Sequence, residues 1–259
     1  MDIKQKVMSE ISYREYELLG QYHNKYPMDW RKKIQRCLED ENKHEYFKKI
    51  TIKFVKLGYD AELFQKAMWA GINAMWTNLG EKTNETLFWE TFGNIFNVED
   101  VEKLKPIFED YYFNEYNQIE EIVTKDPNIK PILDWCKQNF EYVVLATNPF
   151  FPTFGTNNRL GWIGLSLQDF DYVTTYENSR YSKPDPRYFE DLMSKFNLKP
   201  EECIMVGNNQ LEDFIVAKQV GMDALLVGEF VLPYDKAPQH APAVKLENLI
   251  DVLAELKNK

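Results

Sequence analysis

The sequence has little of what several function classes require. Cysteine is scarce: Cys37, Cys136 and Cys203 are odd in number and far apart. That gives no disulfide framework and reads as buried, reduced thiols in a cytoplasmic protein. Histidine is as scarce, and His23, His44 and His240 are scattered without the spacing of a zinc site. No apolar run approaches the length of a membrane span, and the first residues carry no signal-peptide pattern, so no membrane is expected. Positive charge is in deficit, with 31 Lys and Arg against 41 Asp and Glu and a net charge of -10. Phosphate-backbone binding needs a basic face, so nucleic acid is not an expected partner. There is no internal repeat and no low-complexity segment.

What is present is ordinary globular composition, 44% hydrophobic and 28% charged over 259 residues. That length suits a core domain plus an inserted one. Residues 1–30 read as polar and helical, with Ile11, Tyr16, Leu18 and Leu19 as a modest apolar face. No run there is apolar enough for a buried strand. Residues 31–40 read as a solvated helix face. From 41 to 57, Tyr46, Phe47, Ile50, Phe54 and Leu57 recur at helical spacing. Ile50, Ile52 and Phe54 also alternate as in a strand, but the helical match is longer. Asp60 suits the N-cap of a helix over 61–76. Further helices are expected over 86–96 and 98–116, the last kinked near Pro106. The dense aromatics of this region, Trp69 to Phe113 among them, read as a bundle core.

The pattern changes after Lys125. Strands are expected at 142–146, 171–176, 203–206 and 224–227. Helices fall between them at 127–139, from 154 to 160, at 184–196 behind Pro184 and Pro186, from Leu211 to Gly221, and at 246–256. Strand and helix in alternation predict a parallel sheet covered on both faces, an α/β fold. Residues 232–242 form a Pro-rich loop.

Parallel strands bring their carboxyl ends to one edge, where open α/β sheets bind ligands. Three segments should meet there: Thr147-Asn148, Lys183, and the run from Asn208 and Asn209 to Glu212 and Asp213. A hydroxyl and backbone N–H groups hold phosphoryl oxygens, a lysine neutralises their charge, and carboxylates hold a metal. Each element alone is weak. A strand followed by Thr-Asn, then Lys-Pro-Asp-Pro, then a strand followed by Gly-Asn-Asn and Glu-Asp is fairly specific in that order.

Over roughly residues 58–222 the chain resembles the haloacid dehalogenase (HAD)-like hydrolase superfamily, through VVLATNPFFP, SKPDP and CIMVGNNQLEDF. The resemblance implies a Rossmann-like parallel sheet with a helical cap inserted after the first strand. That gives an atypical N-terminal helical segment at 1–40, a cap at 41–125 and a core at 126–259. It also implies a magnesium-dependent phosphohydrolase. Thr147 would bind phosphate with Asn148 beside it. Lys183 would be the motif-three lysine that steadies nucleophile and phosphoryl charge. Asp213, with Asn208 and Asn209, would stand at the metal.

Two departures bear on catalysis. The family's first motif is an apolar strand ending in Asp-x-Asp, nucleophile then general acid/base. No such strand is legible before residue 58. Counting back places it near 27–33, where Asp29 would be the nucleophile candidate and Arg31 replaces the second acid. In motif four, Asn208 and Asn209 stand where an aspartate is usual. An amide oxygen brings no charge to magnesium. Asp169-Phe170-Asp171 resembles the absent motif but precedes its strand, and reads as two structural acids.

The leading expectation is a cytoplasmic protein of phosphohydrolase ancestry with weak or absent hydrolysis, a pseudoenzyme that binds a phosphorylated small molecule. Two readings stay open beside it. One is an active magnesium-dependent phosphatase using Asp29. The other is a scaffold that meets a protein partner through residues 1–40.

Overall fold

The computed structural model describes residues 6–9, 45–97, 101–118, 123, 125–234, 237 and 241–257. Six parallel strands form one sheet in the order β3-β2-β1-β4-β5-β6. They are β1 (Lys6–Ser9), β2 (Val143–Leu145), β3 (Tyr172–Val173), β4 (Cys203–Gly207), β5 (Asp223–Val227) and β6 (Ala243–Val244). This is the doubly wound order, whose switch point lies between β1 and β4.

β1 corrects the sequence reading. The first thirty residues were expected to be helical, yet Lys6–Ser9 is a strand at the centre of the sheet. Val7 pairs with Val143 on one side and with Ile204 on the other. Four residues with two apolar members give no strand signal in a sequence window. Pairing on both edges decides the conformation, and that pairing is tertiary. The rest of residues 1–40 lies outside the described residues, with Asp29, Cys37 and His23 among them.

Residues of β2 and β4 alternate between two apolar layers. Val143, Leu145, Ile204 and Val206 pack with α5 (Ile129–Asn139) and α9 (Leu249–Lys257). Val144, Ala146, Cys203 and Met205 pack with α7 (Arg187–Lys195) and α8 (Val216–Gln219). Coverage of both faces explains why these strands read as continuous apolar runs. Cys136 and Cys203 are buried thiols outside any disulfide, as expected. Burial pushes Cys136 up to about 12.

Between β1 and β2 in the chain lie α1 (Glu45–Lys56), α2 (Ala61–Trp76), α3 (Asn84–Phe96) and α4 (Lys105–Asn114). The helical reading of α1 holds over its strand-like alternation. Asp60 caps α2 as expected, its carboxylate accepting from Leu63 N at 2.7 Å. Pro106 does not kink a long helix; it sits in the first turn of α4, after a separate short turn at Val101–Lys103. Pro184 lies before α7, and Pro186 is its N-cap. The strand expected at 171–176 is paired only at Tyr172–Val173. β6 falls next to the Pro-rich loop and was not anticipated.

The aromatics of α1–α4 form one cluster. Phe54 stacks on Phe64 at 4.2 Å, and Phe92, Phe96 and Phe108 close around them. Phe150, Phe151, Trp162 and Tyr176 of the sheet region belong to the same cluster. The helical insert therefore packs directly on the loops after β2 and β3. No helix among the described residues is long and apolar enough to cross a membrane.

Candidate phosphate site

The three segments picked out in the sequence do meet at the carboxyl edge of the sheet. Lys183 is fully buried, and its ammonium donates to Asp213 Oδ1 at 2.6 Å and to Ala146 O at 3.0 Å. Asp213 is also fully buried. Its Oδ2 accepts the backbone N–H of Asn208 at 3.0 Å and of Asn209 at 2.9 Å. A buried ion pair is tolerable only when further hydrogen bonds offset desolvation, and these supply them. Gly207 makes this approach possible. A Cβ there would lie 2.3 Å from Asp213 Oδ2.

The helix after β4 begins as a π-helix, Gln210–Ile215, and continues as α8. Asn209 is its N-cap, with Oδ1 accepting from Leu211 N and Glu212 N at 3.0 Å each. Asn208 donates from its side chain to Phe230 O at 3.2 Å. The loop is zipped onto the following segment by Leu232 N to Asn208 O and Gln210 N to Leu232 O, both 2.9 Å. So Asn209 is spent on capping and Asn208 on holding the loop.

Thr147 and Asn148 follow β2 and are both buried. Thr147 Oγ1 donates to Asn148 O at 3.2 Å. Asn148 Nδ2 donates to the buried carboxylate of Glu212 at 3.0 Å, which fixes the amide's orientation. Asn148 Oδ1 is then buried with no hydrogen-bond partner among the described residues. Two contributors were not anticipated. Tyr188 Oη donates to Thr147 O at 2.7 Å and Thr174 Oγ1 to the same oxygen at 2.8 Å. They lie 41 and 27 residues from Thr147, and no local pattern links residues so far apart.

Asp169 and Asp171 are structural, as expected. Asp169 Oδ2 accepts from Ser166 N, and Asp171 Oδ2 accepts from Val143 N at 2.7 Å. Neither reaches the edge site in any contact described.

A magnesium ion fits this donor set poorly. Both oxygens of Asp213 and the side-chain oxygen of Asn209 are already engaged. Among the described residues, no three His, Cys, Asp or Glu side chains gather for a metal. An octahedral oxygen shell needs free carboxylate oxygens.

The register of β1 places the remaining piece. Ser9 pairs with Leu145 and with Val206, so β1 ends level with the strands that carry Thr147 and Asn208. The chain leaves it as Ser9-Glu10-Ile11-Ser12, with one acid and no Asp-x-Asp. A sequence profile described as haloacid dehalogenase-like hydrolase matches residues 9–221, beginning at this point. The chain belongs to the haloacid dehalogenase-like hydrolases.

Among curated relatives, it is 27% identical over 186 residues to the Rhythmically expressed gene 2 protein of Drosophila melanogaster, covering 63% of this chain and 67% of that one. It is 34% identical over 89 residues to the glyceraldehyde 3-phosphate phosphatase of Methanothermobacter thermautotrophicus, covering 34% of this chain and 38% of that one. It is 26% identical to pyrophosphatase PpaX of Bacillus velezensis, covering 64% and 73%. The phosphatase of M. thermautotrophicus is thus matched over less than half its length. A predicted phosphoglycolate phosphatase from Haemophilus somnus shares the fold at TM-score 0.51 and 17% identity, over 98% of this chain and 99% of that one. Phosphatase relatives within the family place this HAD-like chain in phosphohydrolase ancestry.

Proposed function

We propose that this HAD-like protein binds a phosphorylated small molecule at the carboxyl edge of its sheet and hydrolyses it weakly or not at all. The observation that carries this reading is the end of β1. The family pattern sets its nucleophile and acid there, and this chain supplies Ser9-Glu10-Ile11. Asp213 is committed to Lys183 and to two backbone N–H groups, so among the described residues it offers a metal-assisted displacement no open oxygen.

Binding needs less than catalysis does. Thr147 contributes a hydroxyl and Lys183 a cationic end beside it, against phosphoryl oxygens. Asn148 Oδ1, a buried acceptor with no partner among the described residues, takes a hydroxyl of the ligand. Helices α1–α4 act as the cap over this edge.

The test is hydrolysis of p-nitrophenyl phosphate by purified protein with magnesium. Background rates are expected, together with a rise in melting temperature on adding orthovanadate that Thr147→Val abolishes. Ordinary enzyme rates, lost in Lys183→Ala, would overturn the reading. A second reading, an active phosphatase, is favoured by one observation: Glu10 directly follows β1 in the sequence. It requires turnover that Glu10→Gln removes. Asp29, the candidate from the sequence, lies outside the described residues.

A further inference from the structure

One buried side chain of the helical insert, Asn84, bonds to both of the loops that carry the edge site. It occupies the first position of α3 and is fully buried. Its Nδ2 donates to Pro149 O at 3.1 Å and to Ser182 Oγ at 3.2 Å. Its Oδ1 accepts from Asn78 Nδ2 at 2.8 Å. All the side chain's donors and its acceptor are therefore used, and the amide orientation is fixed by its partners. Pro149 directly follows Thr147-Asn148, and Ser182 directly precedes Lys183. The backbone adds two bonds of 2.8 Å, Asn84 N to Ser179 O and Glu85 N to Tyr176 O.

The network continues into the elbow between α2 and α3. Asn78 also donates to Lys82 O at 2.9 Å and accepts from Gly80 N at 2.9 Å. Ser182 Oγ donates to Met75 O at 3.2 Å. Gly80 has φ +95 and packs so closely that a Cβ would meet Tyr181 Oη at 2.2 Å. A buried, fully satisfied polar network has one good geometry, whereas the aromatic packing around it tolerates sliding.

We propose that Asn84 is a positioning residue: a latch that fixes the α2–α3 elbow to the loops on both sides of the site and holds Thr147-Asn148 and Lys183 in register. The role follows from the juxtaposition of one amide with two loops that lie 65 and 98 residues away. Its binding arm rests on the phosphate reading above; its latch arm does not.

Hydrogen exchange separates the two. In Asn84→Ala, amides of residues 84–87 and 176–183 are expected to exchange about tenfold faster or more, with 203–207 unchanged. In Asn84→Asp, the carboxylate accepts but cannot donate, so the same segments open near neutral pH. Protonation restores one donor, so acidification should close them again, which Asn84→Ala cannot show. Uniform acceleration that includes 203–207, or no acceleration, overturns the latch, as does an Asn84→Asp profile identical to alanine's at every pH. If Asn84→Ala does not fold, the wild type decides. Residues 84–87 and 176–183 must then open as one unit in low denaturant, and independent opening refutes the proposal. In the binding arm, the orthovanadate-induced stabilisation of the wild type should fall about tenfold in apparent affinity in Asn84→Asp. No stabilisation of the wild type sinks the phosphate reading and leaves the latch standing on exchange alone.

Discussion

The helical insert and the sheet edge solve burial by different means. In the insert, Phe54, Phe64, Phe92, Phe96 and Phe108 pack ring against ring, and no single contact is indispensable. At the edge, Lys183, Asp213, Glu212 and Asn148 are buried polar groups held by specific partners. Apolar burial scales with area and forgives changes of shape. Polar burial in a low-dielectric interior costs heavily wherever one partner is lost.

Substitutions can break or sharpen that contrast. The largest effect is expected at the ion pair. Lys183→Met leaves Asp213 buried without its cation and should cost about 3–5 kcal/mol, read from urea unfolding. Lys183→Met with Asp213→Leu should recover part of that loss. If the double variant is as unstable as the sum of the singles, the two groups do not act as a pair. In the insert, Phe92→Leu removes ring contacts but keeps an apolar side chain, and should cost only about 1.5 kcal/mol. A loss equal to that of Lys183→Met would erase the distinction between the regions. Thr83 is the N-cap of α3, accepting from Thr86 N at 3.2 Å, and Thr83→Ala should cost about 1 kcal/mol. The smallest effect concerns Cys136. With its thiol pushed up to about 12, it should resist iodoacetamide at neutral pH in the folded protein and react after unfolding. Rapid labelling of the native chain would show that this layer of the core opens readily.

Much of the fold was legible because the signals are local. YVVLA and CIMV read as buried strands through continuous apolar, partly β-branched runs, and both lie in the sheet. The helices of the insert followed from apolar spacing and from Asp60 as a cap. The edge site was half legible. Thr147, Lys183 and Asp213 could be named because the order of three short motifs is written along the chain. Their geometry could not, since a carboxylate after such a strand faces a metal as readily as a lysine. Asn84, Thr174 and Tyr188 carried no signal at all. An asparagine in a first helical turn, or a tyrosine at helical spacing, looks ordinary until its distant partner is known.

The sequence by itself determined the α/β class, the helical insert, the order of the edge motifs and the amides at 208 and 209. These depend on periodicity, turn chemistry and residue identity, which are properties of neighbours in the chain. Only the tertiary structure decided that Lys6–Ser9 is the central strand, that Asp213 belongs to Lys183, and that Asn84 joins insert to sheet. A strand of four residues gains its stability from partners on both sides, and a buried polar group from the particular atom it meets. Neither partner is near in sequence, so neither is encoded in any local window.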